Sequence, residues 1–316
     1  LYGSPRNERY CEQLCVHAAD AAILAWQRLE PARFGWAAAP VEGIAFNRRY
    51  LFRDGHVDMN PGVNNPEVVR GTDIIDPEFI VARIDRADGS LMGFIASYAL
   101  HLDCIGGLAF SADYPGVIRA DLHRAFGERT GFVWFTGCCG NVNHLDVTGK
   151  VRHTHEEIGH ILSDKLVQLS GEIGTQEPGA LRVARRTVTA TIERPTAAMA
   201  AAAPDGPRRR EVTMAMTLPG GTVECEVFCA SIGDFAFAAL PGEVFCRFGL
   251  DIKERSPFAC TLTAELSNAA NGYVKTRAAA DEGGYEATPS TYNILDREAG
   301  YLMADAAVEN LRDLKD

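Results

Sequence analysis

The sequence predicts an α/β protein, with a mixed sheet, βαβ units and flanking helices. Three observations carry this. Leu91 to Leu100 is a long apolar run, rich in β-branched and aromatic residues, that reads as a buried strand. Val117 to Arg129 places Val117, Ile118, Leu122, Ala125 and Phe126 on one helical face, and Gly131 to Phe135 forms a second buried strand. Strand, crossover helix and parallel strand make a βαβ unit, and strand-like and helix-like stretches alternate along the rest of the chain without an internal repeat.

In order, Asn7 to Leu29 is a helix, with Cys11, Leu14, Cys15, Ala18, Ala22, Ala25 and Leu29 at helical spacing and Pro31 ending it. Ala32 to Val41 reads as a strand. Residues 47–71 are polar and rich in Asn, Pro and Gly, and read as a long surface loop. Phe79 to Asp85 alternates like a strand, and Asp88-Gly89 turns the chain into the Leu91 strand. His153 to Leu169 reads as a helix and Leu181 to Ile192 as a strand. Thr196 to Arg210 has no apolar periodicity and a basic end, so it reads as a mobile insertion in an otherwise single domain spanning residues 1–316. Strands at Thr222 to Ala230 and Phe235 to Leu240 precede a helix from Glu243 to Arg255. A strand at Cys260 to Leu266, a loop at Asn268 to Asn293 and an amphipathic helix at Arg297 to Leu314 complete the chain.

Bulk composition narrows the function. With 47% hydrophobic and 23% charged residues, 316 residues can bury a sizeable core. A net charge of −11 argues against nucleic acid as a partner. No run reaches the length of a membrane span, and the N-terminus lacks a signal-peptide pattern. Nine scattered cysteines read as free thiols in a reducing compartment, with the cytoplasm as the default. The chain opens on Leu1, as a fragment or processed form would.

Ligands of βαβ units bind beyond the carboxyl ends of the strands. There the sequence places His101, the turn Ser111-x-Asp113-x-x-Gly116, and Gly137-Cys138-Cys139-Gly140-Asn141-Val142-Asn143-His144. A histidine at a strand end is either a fixed nitrogen donor for zinc or a half-buried imidazole bonded to backbone. Asp113 either orients a loop or the imidazole, or serves as the acid of a helix start. Cys138 and Cys139 are either thiolate candidates or small buried residues in a tight turn. His153, His155 and His160, with Glu156 and Glu157, lack the four-residue histidine spacing of helical zinc sites and read as a solvated face. No phosphate-binding glycine fingerprint is present.

An apolar strand ending in Ala-x-His, a Ser-x-Asp-x-x-Gly turn, a helix and a strand running into Gly-x-Val-x together resemble the catalytic domain of neutral ceramidases. These are zinc-dependent amidases of N-acylsphingosine. The likeness continues at Pro241-Gly242-Glu243 and from Tyr273 to Thr291, with Tyr285 twelve residues after Tyr273. It implies zinc held by His101, Glu243 and Tyr273. It also implies that Tyr285 and, through Asn47-Arg48, Arg48 contact the substrate or oxyanion. The substrate class it implies is a small-molecule or lipid amide.

Two departures stand out. Asn143 takes the place of the family's serine, so the resemblance points to metal-activated water with Asn143 as a hydrogen-bond donor. The family's other zinc histidine lies in an upstream His-x-His segment, and this chain has no histidine before His17. Either that segment is lost or trimmed, or the site is incomplete; the resemblance describes a short member without the family's C-terminal immunoglobulin-like domain. A cysteine-dependent hydrolase using Cys138 or Cys139, and a non-catalytic binding relative, are the competing readings.

Overall fold

The computed structural model describes residues 7–316; residues 1–6, part of the stretch tested against a signal-peptide pattern, lie outside them. After α1 (Glu8–Gln27) come β1 (Ala32–Pro40), β2 (Phe46–Asn47), β3 (Arg49–Phe52), β4 (Val57–Met59), β5 (Val68–Gly71), β6 (Glu78–Arg86) and β7 (Leu91–Tyr98). The central unit is α2 (Asp113–Phe126), β8 (Gly131–Thr136), β9 (Val142–Asn143) and α3 (His155–Glu172). Next are β10 (Leu181–Thr191), α4 (Ala197–Ala202), α5 (Pro207–Ala215), β11 (Thr222–Ile232), β12 (Phe235–Ala239) and β13 (Glu243–Val244). The chain closes with α6 (Cys246–Arg255), β14 (Cys260–Ala264), β15 (Tyr273–Val274), α7 (Arg277–Glu282) and α8 (Ala299–Lys315).

Two four-stranded mixed sheets stack face to face, ordered β1-β6-β7-β8 and β10-β11-β12-β14. The expected βαβ unit is present, since β7 and β8 run parallel across α2. In the second sheet β12 and β14 are parallel as well. Side-chain alternation assigns each strand face to a layer. Phe79 and Val81 of β6, with Phe94, Ala96 and Tyr98 of β7, pack under Ile118 and Leu122 of α2 and Leu162 and Leu166 of α3. Ile80 and Ala82 face the other way, against Phe235 and Leu262 of the second sheet. That sheet buries Val227, Ala236 and Ala238 under Met303, Ala307 and Leu311 of α8. Helices, sheet, sheet and helices form four layers.

The structure corrects three element readings. Residues 47–71 are not a plain loop, because β4, β3 and β5 form a small antiparallel sheet there. The stretch read as a mobile insertion holds α4 and α5. Thr196 caps α4 by accepting from Met199 N, and Ala200, Ala203 and Val212 make a small core of their own. Alanine's helix propensity acts without any apolar stripe. Glu243 does not open a helix; it lies in β13, paired in parallel with β15, and α6 starts at Cys246. The helix read at the start of the chain is present as α1, and it buries none of its residues.

Candidate functional site

The ends of four strands meet at one edge of the stacked sheets. His101 follows β7, Cys139 follows β8, Glu243 follows β12 and Glu265 follows β14. The sheets are tied there by Glu265 N donating to Thr136 O at 3.0 Å. Gly140 allows the close approach, since a Cβ on it would stand 2.5 Å from Glu243 O. Gly242, at φ +98°, provides the turn into β13 in a conformation that glycine adopts without penalty.

His101 Nε2 lies 2.9 Å from Glu243 Oε2, and Glu243 is the register partner of Tyr273 across β13 and β15. Glu243 also shares a hydrogen bond with Tyr273 and accepts from Tyr292 O–H at 2.5 Å on Oε1. The three donors singled out from the sequence therefore converge, although 172 positions separate His101 from Tyr273 in the sequence. Behind them, the Cys139 thiol donates to Glu265 Oε1 at 3.1 Å and faces His101 Nδ1 at 3.3 Å. Glu265 Oε2 accepts from Cys139 N at 3.0 Å and from Val244 N at 2.9 Å.

The hydrogen-bond network is compatible with two imidazole tautomers. In one, the thiol proton is given to Glu265 and Cys139 Sγ accepts from His101 Nδ1–H. Nε2 then presents a lone pair to a carboxylate oxygen, two acceptors 2.9 Å apart. In that arrangement a cation, either a proton or a metal ion, belongs between them; in the other, Nε2–H donates directly to Glu243. Ligand atoms around a tetrahedral zinc stand about 3.4 Å apart, so a small opening of this pair accommodates the ion. The donor set of imidazole nitrogen, carboxylate and phenol suits zinc.

Without metal, a proton fills that role. Burial disfavours the imidazolium, but the Glu243 hydrogen bond and the charges of Glu265 and Glu243 outweigh both burial and Arg48, so His101 titrates above its ordinary value. Burial likewise opposes the Glu243 carboxylate, and its bonds to His101 and Tyr292 bring it below the ordinary value. Burial pushes Glu265 up to about 7. Burial also raises the Tyr273 phenol, with Glu243 adding and Arg48 opposing.

Arg48 reaches the same place. Its Nη2 donates to Tyr273 OH at 2.9 Å and Gly140 O at 3.0 Å, while Nε donates to the buried Glu286 at 2.7 Å. Arg49 grips the other oxygen of Glu286 at 2.9 Å. Tyr285 stacks edge-on against Tyr273 with ring centroids 5.8 Å apart, and the Arg208 guanidinium covers its ring at 4.5 Å. Asn143 is engaged elsewhere, its Nδ2 donating to Asn60 at 2.7 Å and its Oδ1 accepting from Leu145 N at 3.1 Å. Asp113 acts on the loop after His101, where Oδ2 accepts from Cys104 N at 3.0 Å and Ile105 N at 3.1 Å.

The cysteine reading fares poorly on physical grounds. Burial and the adjoining Glu265 hold the Cys139 thiol well above its ordinary value, and burial raises Cys138 as well. An activated thiolate needs the opposite surroundings. His153, His155 and His160 each pair with a carboxylate, namely Glu157, Glu156 and Asp121. Sequence reasoning missed Glu265, Glu286 and Tyr292. Glu265 carried a signal of the same kind as His101, a polar residue directly ending an apolar strand.

No protein-family model matches the chain, and no curated protein does. The fold is ceramidase-like. A solved ceramidase complexed with C2 superposes with a TM-score of 0.67 at 17% identity, over 92% of this chain and 55% of the other. Neutral ceramidase from Pseudomonas aeruginosa gives 0.64 at 19% identity, over 92% of this chain and 54% of the other. The chain spans about half the length of these two proteins.

Proposed function

We propose that the chain carries the catalytic site of a zinc-dependent hydrolase that cleaves an amide, with lipid amides of the N-acylsphingosine kind as the substrate class. The observation that carries this reading is the convergence of His101, Glu243 and Tyr273. The likeness in fold to two ceramidases supports it. Those three residues would hold the ion, and zinc bound there would polarise the scissile carbonyl and bring the pKa of a water to about 7.

The remaining roles belong to the chain's own groups. Water adds to the carbonyl carbon, the C–N bond breaks, and the amine leaves with a proton. Charge collects on the carbonyl oxygen during that step. Arg48, held by Glu286, and Tyr285, braced by Arg208, are the donors we assign to it. Tyr292 fixes the carboxylate of Glu243. Asn143 stabilises its own loop through Asn60, and we assign it no direct donation to the oxyanion.

Elemental analysis and cleavage of a short-chain N-acylsphingosine test the reading on wild type and His101→Ala. The variant is expected to lose one equivalent of zinc and its turnover. Tyr285→Phe should keep the zinc and lose about 10²–10³ in turnover, as removal of one oxyanion donor does. Unchanged cleavage by His101→Ala would sink the proposal.

A further inference from the structure

We propose that Asp103, Cys104 and His144 form a second metal site of the zinc class beside the His101 site. A carboxylate oxygen, a thiol sulfur and an imidazole nitrogen from these residues all lie within 4.8 Å of one another. His144 Nδ1 stands 3.2 Å from Asp103 Oδ1, with the two side chains 14% and 41% exposed. The donors come from two different loops at the same sheet edge. Asp103 and Cys104 follow β7 two and three residues beyond His101, and His144 follows directly on β9. The set is therefore assembled by the fold and not by a single turn.

The donor chemistry selects the ion. Magnesium and calcium take oxygen ligands, whereas a mixed nitrogen, oxygen and sulfur set suits zinc and its cobalt surrogate. Three protein donors are the usual number when the ion also takes water or a ligand. Access is available, because His144 also lines a cavity of about 400 Å³ with Asn60, Val63 and Leu145. The neighbouring charges permit a cation. Asp113 adds a second carboxylate beside Cys104, and besides His144 itself, His101 and Arg48 act on Asp103. Cys104 enters the site as a thiol, so its S–H bond breaks as the sulfur–metal bond forms and one proton passes to the buffer.

Among the positions compared with the ceramidase pattern, His144 follows Asn143, the residue that replaces the family's serine. The proposal does not depend on the hydrolase reading, and its measurement separates the two. Chelator-treated full-length protein is titrated with Co²⁺, and the near-ultraviolet thiolate-to-cobalt absorption is followed. Zinc stoichiometry is measured in parallel by equilibrium dialysis.

Wild type should show the thiolate absorption, and Cys104→Ser should abolish it and lose one equivalent of zinc. His144→Gln, chosen as a milder change, should weaken zinc binding at this site by more than about 100-fold, because losses of 10–100-fold already follow from disturbing groups behind a ligand. His101→Ala should keep the absorption and lose a different equivalent. Absorption that survives Cys104→Ser, or that vanishes only in Cys139→Ser, overturns the site. Wild type without thiolate absorption overturns it too. If His101→Ala loses no metal while Cys104→Ser does, the second site stands and the hydrolase reading of the first fails.

Discussion

Glu265 shows at the scale of one residue what the site costs. It is a buried carboxyl group whose neighbours are two backbone N–H groups and a thiol, with no cation in direct contact. Burial lifts it from 4.5 to about 7. Between those values the folded protein retains a proton that the unfolded chain has released, so stability falls as pH rises through the window. His101, also raised, adds a loss of the same sign that begins as pH rises through 6.5, where the unfolded imidazole titrates, and is complete above its folded value. Metal-free protein should thus lose on the order of 3 kcal/mol between pH 4.5 and 7 through Glu265 alone. Glu265→Gln keeps an acceptor for both amides and should flatten that part of a denaturant-stability profile, leaving the His101 part. An unchanged slope would mean that Glu265 stays ionised. Of the candidate site residues, His101 is marked in the sequence by its strand end, and Glu243, Tyr273, Tyr285 and Arg48 by the ceramidase resemblance. Glu286 and Tyr292 are not, because their significance lies in contacts with Arg48 and Glu243, 238 and 49 positions away in sequence.

At the scale of elements, what could be read locally was read well. The β6–β7 hairpin follows from alternation and from Gly89 at φ +84°, and the βαβ unit from two apolar runs around an amphipathic helix. Elements of low periodicity escape a sequence reading, among them β3 to β5, which pair with one another, and the α4–α5 pair, which has a small core of its own. In α5, Arg208 donates to Tyr285 O at 2.6 Å and Thr288 O at 3.2 Å while its guanidinium lies over the Tyr285 ring. The pair of helices therefore acts on the site through one arginine, in addition to its own small core. Arg208→Ala should release the Tyr285 segment. Since hydrogen bonds to a charged group contribute about 1.5–3 kcal/mol each, we expect an at least 10-fold fall in kcat/KM with no loss of zinc. Amide exchange should rise over residues 284–288 and stay unchanged in β7 and β8. Exchange rising across the whole second sheet would instead make the helix pair part of the core.

The whole molecule depends on the interface between its sheets. Phe235 is fully buried there, with ring centroids 5.4 Å from Phe34, 6.2 Å from Trp36 and 4.9 Å from Phe237. Phe34 and Trp36 belong to the first sheet, Phe235 and Phe237 to the second, so one cluster of side chains serves both. The candidate site sits across the same junction, with His101 and Cys139 from one sheet and Glu243 and Glu265 from the other. Neither sheet could hold the site alone. This arrangement argues for one folding unit over residues 7–316, and Phe235→Ala tests it. Emptying a buried phenylalanine site costs about 3–5 kcal/mol, with the cavity lying between the sheets and remote from any ligand. In urea, tryptophan fluorescence reports on the first sheet through Trp36 and Trp134, and thiol labelling mapped to Cys225 and Cys229 reports on the second. If the sheets fold as one unit, both probes should move to lower urea together and metal should leave in the same transition. Separate midpoints, with the thiols exposed while the tryptophan signal remains native, would divide the chain into two units joined at the site.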